Sequence, residues 1–255
     1  MAEGRLQFNK RSFRGLSGNQ LKMVAFFLML CDHVGFMLIE NGMLYGQNAM
    51  YWNMALGTSQ GQKWYMIAKI LRFIGRLSFP IFAFFVAEGF RYTQNAAKYI
   101  TRMGVFALIS EVPFDLACYG VPYYPEYQNV LFTYFIALLA MSLMQKARKH
   151  LLLKILIMAA FSGVAWLVKC DYGALGVALI CLLYLLKNET KLRLWAGAVV
   201  SAVESTGFYG VSALSFLLLS LYRGNRGSAS LKYFFYFMYP AHLAVFYALV
   251  YFANR

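Results

Sequence analysis

Two stretches of this chain, 127–145 and 233–254, run for 19 and 22 residues without a Lys, Arg, Asp or Glu. A helix rises about 1.5 Å per residue, so ~20 apolar residues match the ~30 Å hydrocarbon core of a bilayer. Seven further apolar stretches lie at about 20–40, 70–90, 99–118, 151–169, 173–187, 192–204 and 207–222. The composition of the whole chain agrees. Of 255 residues 61% are apolar and 13% charged, against roughly 45–50% and ~25% in soluble domains. So few charges could barely coat a soluble body of this length. These proportions exclude a disordered chain, a nucleic-acid module and an ordinary soluble enzyme. The fold expected is an all-α, polytopic integral membrane protein with about nine transmembrane helices (eight to ten). The stretch 192–204 is the weakest, short enough to be expected as a broken or re-entrant piece.

The net charge is +14, and its distribution carries the topology. Residues 1–22 hold Arg5, Lys10, Arg11, Arg14 and Lys22. Further basic residues on the same side of the nine-span layout are Arg91, Lys98 and Arg102, then Lys146, Arg148, Lys149 and Lys154. Lys187, Lys191 and Arg193 follow, and then Arg223, Arg226 and Lys232. That side collects 18 of the 24 basic residues, whereas the opposite connections, 41–63, 119–127, 170–172 and 205–206, carry Lys63 alone. Cytoplasmic loops concentrate Lys and Arg, so the N-terminus is expected in the cytoplasm and the C-terminus outside. No cleavage site is expected after the first apolar run. The expected organisation is a basic cytoplasmic segment, 1–19, and one transmembrane domain, 20–252. The four cysteines form no CxxC pair, and no metal is expected.

Ionisable groups inside a bilayer are costly and point to function. Asp32, His33, Arg72, Arg76, Glu88, Glu111, Asp115 and His242 all fall in or at the ends of apolar stretches. Taking Glu40, Arg72 and Cys118 as outer ends, Asp32 and His33 lie ~10–12 Å deep, Arg76 ~6 Å, Asp115 ~5 Å and Glu111 ~10 Å. His242 lies ~15 Å below an outer end at Phe252. These groups share one layer. Arg72 and Arg76, and likewise Glu111 and Asp115, are spaced for one helix face. Depth alone pairs Arg76 with Asp115 and leaves Glu111 near His33, with Asp32 free to orient His33 or to anchor an Arg. Histidine suits proton transfer near neutral pH. Within Gly75-Arg-Leu-Ser-Phe-Pro80, Pro80 frees a backbone carbonyl that another group must satisfy. On the basic side, Tyr222-Arg-Gly-Asn-Arg-Gly227 is a Gly-rich turn able to hold phosphate.

The residues that stand out also form a set. They are Leu21-Lys-Met-Val-Ala with Asp32-His-Val-Gly35, and Arg72-Phe-Ile-Gly-Arg-Leu-Ser-Phe-Pro-Ile-Phe-Ala-Phe84 with Glu88-Gly89. Ile109-Ser-Glu-Val-Pro-Phe-Asp115, Asn129-Val-Leu-Phe-Thr133, Tyr222–Gly227 and Lys232-Tyr-Phe-Phe-Tyr-Phe-Met-Tyr-Pro-Ala-His-Leu243 follow in order. Together they resemble the TraX family of membrane proteins over about residues 20–245. The loop 41–63 and the basic N-terminus lie outside the resemblance. The resemblance implies membership of the wider transmembrane acyltransferase group. It implies transfer of an acetyl or other acyl group from cytoplasmic acyl-CoA to an acceptor at the outer side of a bacterial inner membrane. The acceptor is left open among a peptide N-terminus, a sugar hydroxyl, a lipid and a small molecule. The implied catalytic residue is His33, with Asp32 or Glu111 orienting it. Arg91, Arg102, Arg223, Arg226 and Lys232 are the expected ligands of the CoA phosphates. Arg72, Arg76, Ser78, Asp115, Asn129 and His242 make up the polar layer, for substrate, oxyanion or structure. The expected partners are membrane lipid, acyl-CoA and the acceptor, with no nucleic acid. A proton-coupled transporter using the same Asp/Glu/His/Arg layer is the rival reading. A non-catalytic component of a secretion or conjugation apparatus is the third.

Overall fold

A computed structural model describes residues 15–147, 150–227 and 231–253, of Lys232 the backbone alone. Arg5, Lys10, Arg11, Arg14, Arg148 and Lys149, and the side chain of Lys232, lie outside the described residues. The described chain is all helical. Ser17 caps α1 (Gly18–His33) through a capping box with Gln20. The chain then continues without a break through wide π turns, Val34–Met43. After a turn come a short exposed helix, α2 (Ala49–Leu56), and α3 (Ser59–Gly75), capped by Thr58. α4 (Ser78–Tyr92) follows almost collinearly and α5 (Ala96–Tyr119) returns, ending at Gly120 in the left-handed region (φ 72°). α6 (Val130–Lys146), α7 (Leu151–Leu167), α8 (Gly173–Leu185), α9 (Thr190–Glu204), α10 (Ser215–Ser220) and α11 (Lys232–Ala253) complete the bundle.

Gly18–Met43, Ser59–Tyr92 and Tyr233–Ala253 are each long and apolar enough to cross a bilayer. Val130–Lys146, Leu151–Leu167, Gly173–Leu185 and Val211–Ser220 are apolar but shorter. The core is built on α4, α6 and α8, with Ile81, Leu138, Met141, Ile180 and Leu183 fully buried. The outside of α7 is equally apolar: Leu151, Leu152, Trp166 and Leu167 are exposed. Such an outer face suits lipid, not water.

The chain ends are sorted as the charge pattern predicts. At the basic end Gly18 N–H donates to Asn225 O (2.8 Å) and Arg91 to the Lys187 carbonyl (3.0 Å). At the other end Asn41 and Gln47 donate to the Cys118 carbonyl (3.1 and 2.7 Å), and Asp171 N–H to Gln128 O (2.8 Å).

Three expectations are corrected. The region 41–63 is not simply a loop, because it holds α2 and the first turn of α3. The helix that follows therefore begins at Ser59, not near 70. The weak stretch 192–204 is a single helix, α9. The broken piece is 207–222, which forms two 3₁₀ turns (Thr206–Phe208, Val211–Leu214) before α10. Gly207-Phe-Tyr-Gly210 causes the break, with Tyr209 and Gly210 both at positive φ (56° and 70°).

Glycine decides how closely α3 approaches α1. A Cβ on Gly75 would stand 2.3 Å from Asp32 Cβ and 2.7 Å from Asp32 Cα, and one on Gly35 2.9 Å from the Ala68 carbonyl oxygen. Gly75→Ala is therefore expected to destabilise the fold by ~1–3 kcal/mol, as overpacking does. Thermal unfolding in detergent would read this as a lowered Tm.

Candidate active site

At the meeting of α1, α3 and α11 lies a layer of part-buried polar contacts. His33 ends α1 and His242 stands mid-way along α11, with His33 Nδ1 2.6 Å from His242 Nε2. The ring planes are parallel to within 6° and the centroids 4.9 Å apart. So short an N···N contact at that separation sets the rings edge to edge. His242 Nδ1 lies 2.7 Å from the Met238 carbonyl oxygen one turn back. One residue before His33, Asp32 takes two hydrogen bonds from Arg76 Nη2, at 2.9 and 3.0 Å. One turn further out Arg72 pairs with Glu40 at 2.6 Å. The Phe208 ring, in the first 3₁₀ turn after α9, lies over both guanidinium groups, 5.5 Å from Arg72 and 4.9 Å from Arg76. Pro80 has no N–H for the Arg76 carbonyl four residues back, and Ser212 Oγ donates to that oxygen at 3.1 Å.

The pairings expected from depth are not formed. Arg76 binds Asp32, not Asp115. Asp115 instead accepts from Tyr124 N–H (2.8 Å). Glu111 is bound by the side-chain amide of Asn129, which caps α6 and also donates to the Ala107 carbonyl (2.9 Å). Glu111 is thus engaged at the α5–α6 contact, not at His33. Asp32 is not the orienter of His33 either, since both its oxygens face Arg76. Heights along helices were readable, but azimuth was not: neighbouring residues diverge by about 100°, and Gly75 presses α3 onto α1 at Asp32. Ser78 is buried in the first turn of α4. In the turn before α8, Tyr127 hydroxyl donates to Asp171 Oδ1 (3.0 Å). Burial pushes that carboxyl up to about 6 against the pull of Arg76.

Below the histidine pair a cavity of about 860 Å³ opens between α1, α4, α5, α6, α11 and the 222–227 turn. Its basic-end wall carries Lys22, Lys98, Arg102 and Arg226, with Glu88 the acid among them. Glu88 is tied to Arg193 at 2.6 Å. Arg102 sits between the rings of Tyr99 and Tyr236 (5.7 and 5.3 Å), and its Nε has no hydrogen-bond partner among the described residues. Deeper in, the wall is Met29, Phe82, Met103, Val130, Leu131, Tyr134 and Tyr239. Met29 precedes His33 by one turn and Tyr239 precedes His242 by three residues, so the cavity ends one turn short of the pair.

Two of the expected phosphate ligands, Arg102 and Arg226, line this cavity, while Arg91 and Arg223 do not. Arg91 binds the Lys187 carbonyl, and Arg223 the Gly15 carbonyl. Lys22, Lys98, Tyr99 and Tyr236 were not singled out as ligands. For three of them an i,i+4 neighbour on the same wall was the available signal: Lys22 with Phe26, Lys98 with Arg102 and Tyr99 with Met103.

Residues 17–250 match the family described as TraX protein. A similar protein is the "Probable fimbrial assembly protein FimC, serogroup H1" of Dichelobacter nodosus. It is 28% identical over 253 residues, covering 90% of this chain and 93% of the relative. No solved structure matches the chain. The family match spans the histidine pair, the Asp32–Arg76 contact and the described cavity wall, and the chain belongs to the TraX family.

Proposed function

We propose that this protein is a multi-pass acyltransferase of the bacterial inner membrane. It takes an acetyl or other acyl group from cytoplasmic acyl-CoA and passes it to an amine or hydroxyl at the outer side. The observation that carries the reading is the cavity: basic at one end, apolar and aromatic within, and ending one turn from two hydrogen-bonded histidines. CoA has the same polarity, with several phosphates at one end and a thin arm bearing the thioester at the other. Lys22, Lys98, Arg102 and Arg226 suit the phosphates. The inner wall suits the arm and keeps water from the thioester. Nine crossings with the N-terminus in the cytoplasm fit both the charge asymmetry and the sorting of the helix ends, with 206–220 as a broken crossing that buries Val211, Ser212, Ser215, Phe216 and Leu219 against its neighbours.

His33 acts as general base. It takes the proton of the acceptor N–H or O–H as the acceptor's nitrogen or oxygen bonds to the thioester carbon. The carbon–sulfur bond then breaks, and the proton leaves with the CoA thiolate. The Dichelobacter relative's name places that protein in fimbrial assembly. It favours a protein acceptor here, such as the N-terminus of a fimbrial or pilin subunit.

Calorimetry on detergent-purified protein with acetyl-CoA, CoA and ATP tests the reading. Micromolar binding of acetyl-CoA is expected. Arg102→Gln is expected to weaken it about tenfold, which corresponds to ~1.4 kcal/mol. Failure to bind acetyl-CoA and longer acyl-CoAs would refute the proposal and favour proton-coupled transport through the same layer.

A further inference from the structure

We infer that His242 is a positioning residue that selects which nitrogen of His33 accepts the proton. The inference rests on the acyltransferase reading above. A backbone carbonyl only accepts hydrogen bonds, so the 2.7 Å contact with Met238 O requires a hydrogen on His242 Nδ1. In the neutral ring the other nitrogen, Nε2, is then bare and accepts. Its neighbour at 2.6 Å, His33 Nδ1, is therefore the donor. That leaves the lone pair on His33 Nε2. The rings are parallel to within 6°, which lets the shared N–H lie in the plane of both. One carbonyl on the α11 backbone thus fixes the tautomer of a residue on α1.

The groups facing His33 leave this task to His242. From α3, Arg72 and Arg76 bring positive charge, and Arg76 holds both oxygens of Asp32. The hydrogen bond to the His33 ring comes from a second imidazole, in the place a carboxylate takes in a Ser-His-Asp triad. When the acceptor's proton reaches His33 Nε2, the ring becomes an imidazolium and its Nδ1–H bond to His242 strengthens. When the carbon–sulfur bond breaks, Nε2 returns that proton to the thiolate. Nδ1–H is kept throughout, so the ring resets in the same tautomer.

The chain has three histidines, His33, His150 and His242, so ¹⁵N-histidine spectra of the full-length protein in detergent resolve the tautomer directly. Wild-type His33 is expected as the Nδ1–H form. In His242→Phe it is expected to become a mixture, with kcat for acetyl-CoA turnover down ~10²-fold or more and KM within about twofold. His242→Gln offers an amide oxygen to the same N–H. It is expected to hold the tautomer and keep kcat within about tenfold of wild type. The inference is overturned if folded His242→Phe keeps either the Nδ1–H form or wild-type kcat, or if His242→Gln is as impaired as His242→Phe. A wild type with the pinned tautomer but no turnover of acetyl-CoA overturns the acyltransferase reading instead, because the spectra need no turnover.

Discussion

His33→Gln is expected to lower acyl transfer by ~10³-fold, within the 10²–10⁴ range attributed to a positioned general base. Binding of acetyl-CoA is expected to stay within about twofold, because His33 is not among the residues lining the cavity and stands one turn beyond its end. Thermal unfolding should change little, since a Gln can still meet His242 through one hydrogen bond. Release of CoA thiol, followed with and without an acceptor peptide, measures the effect. Transfer at the wild-type rate would remove His33 from the chemistry. A proportional loss of binding and rate would instead assign it to ligand affinity.

The second large effect belongs to the Asp32–Arg76 pair. Both side chains are mostly buried, and breaking a buried pair by removing one partner costs about 3–5 kcal/mol, because the other charge is left uncompensated. Asp32→Ala is expected to destabilise by that amount in detergent unfolding. The double variant Asp32→Leu with Arg76→Met is expected to recover most of it, since an apolar replacement of a whole pair is often neutral or stabilising. The recovery identifies the pair as a clamp between α1 and α3. Without that recovery, the energy resides in other contacts of Arg76, such as Phe208 at 4.9 Å and the backbone contact from Ser212.

The clamp also shows how far the site was readable. The intramembrane layer of Asp32, His33, Arg72, Arg76, Glu111, Asp115 and His242 could be seen as soon as helix heights were counted. The partners within it could not. Arg76 was placed against Asp115 by height, yet it meets Asp32, because Gly75 has no side chain to hold α3 away from α1 at that point. His242 looked like a lone intramembrane histidine 209 positions from His33. Their 2.6 Å contact depends on where α11 packs, and nothing local to either residue encodes it. Pro80 announced an orphan carbonyl, but not that Ser212, on a broken stretch far along the chain, would satisfy it. The basic cavity wall was half visible. Arg102 and Arg226 stood out as charges, whereas Lys22 and Lys98 looked like ordinary positive-side residues until the helices enclosed a space beside them.

Hydropathy and charge placement by themselves determined that this chain is an all-helical bundle with an apolar exterior and one basic end. Both are sums over many residues, and burial of apolar length and clustering of Lys and Arg need no knowledge of neighbours. The tertiary structure alone decided the hydrogen-bonded His33–His242 pair, the identity of each ion pair and the cavity that leads to them. Each of these depends on rotation and close approach between helices distant in sequence, where a single glycine or an unpaired carbonyl outweighs the pattern of the residues around it.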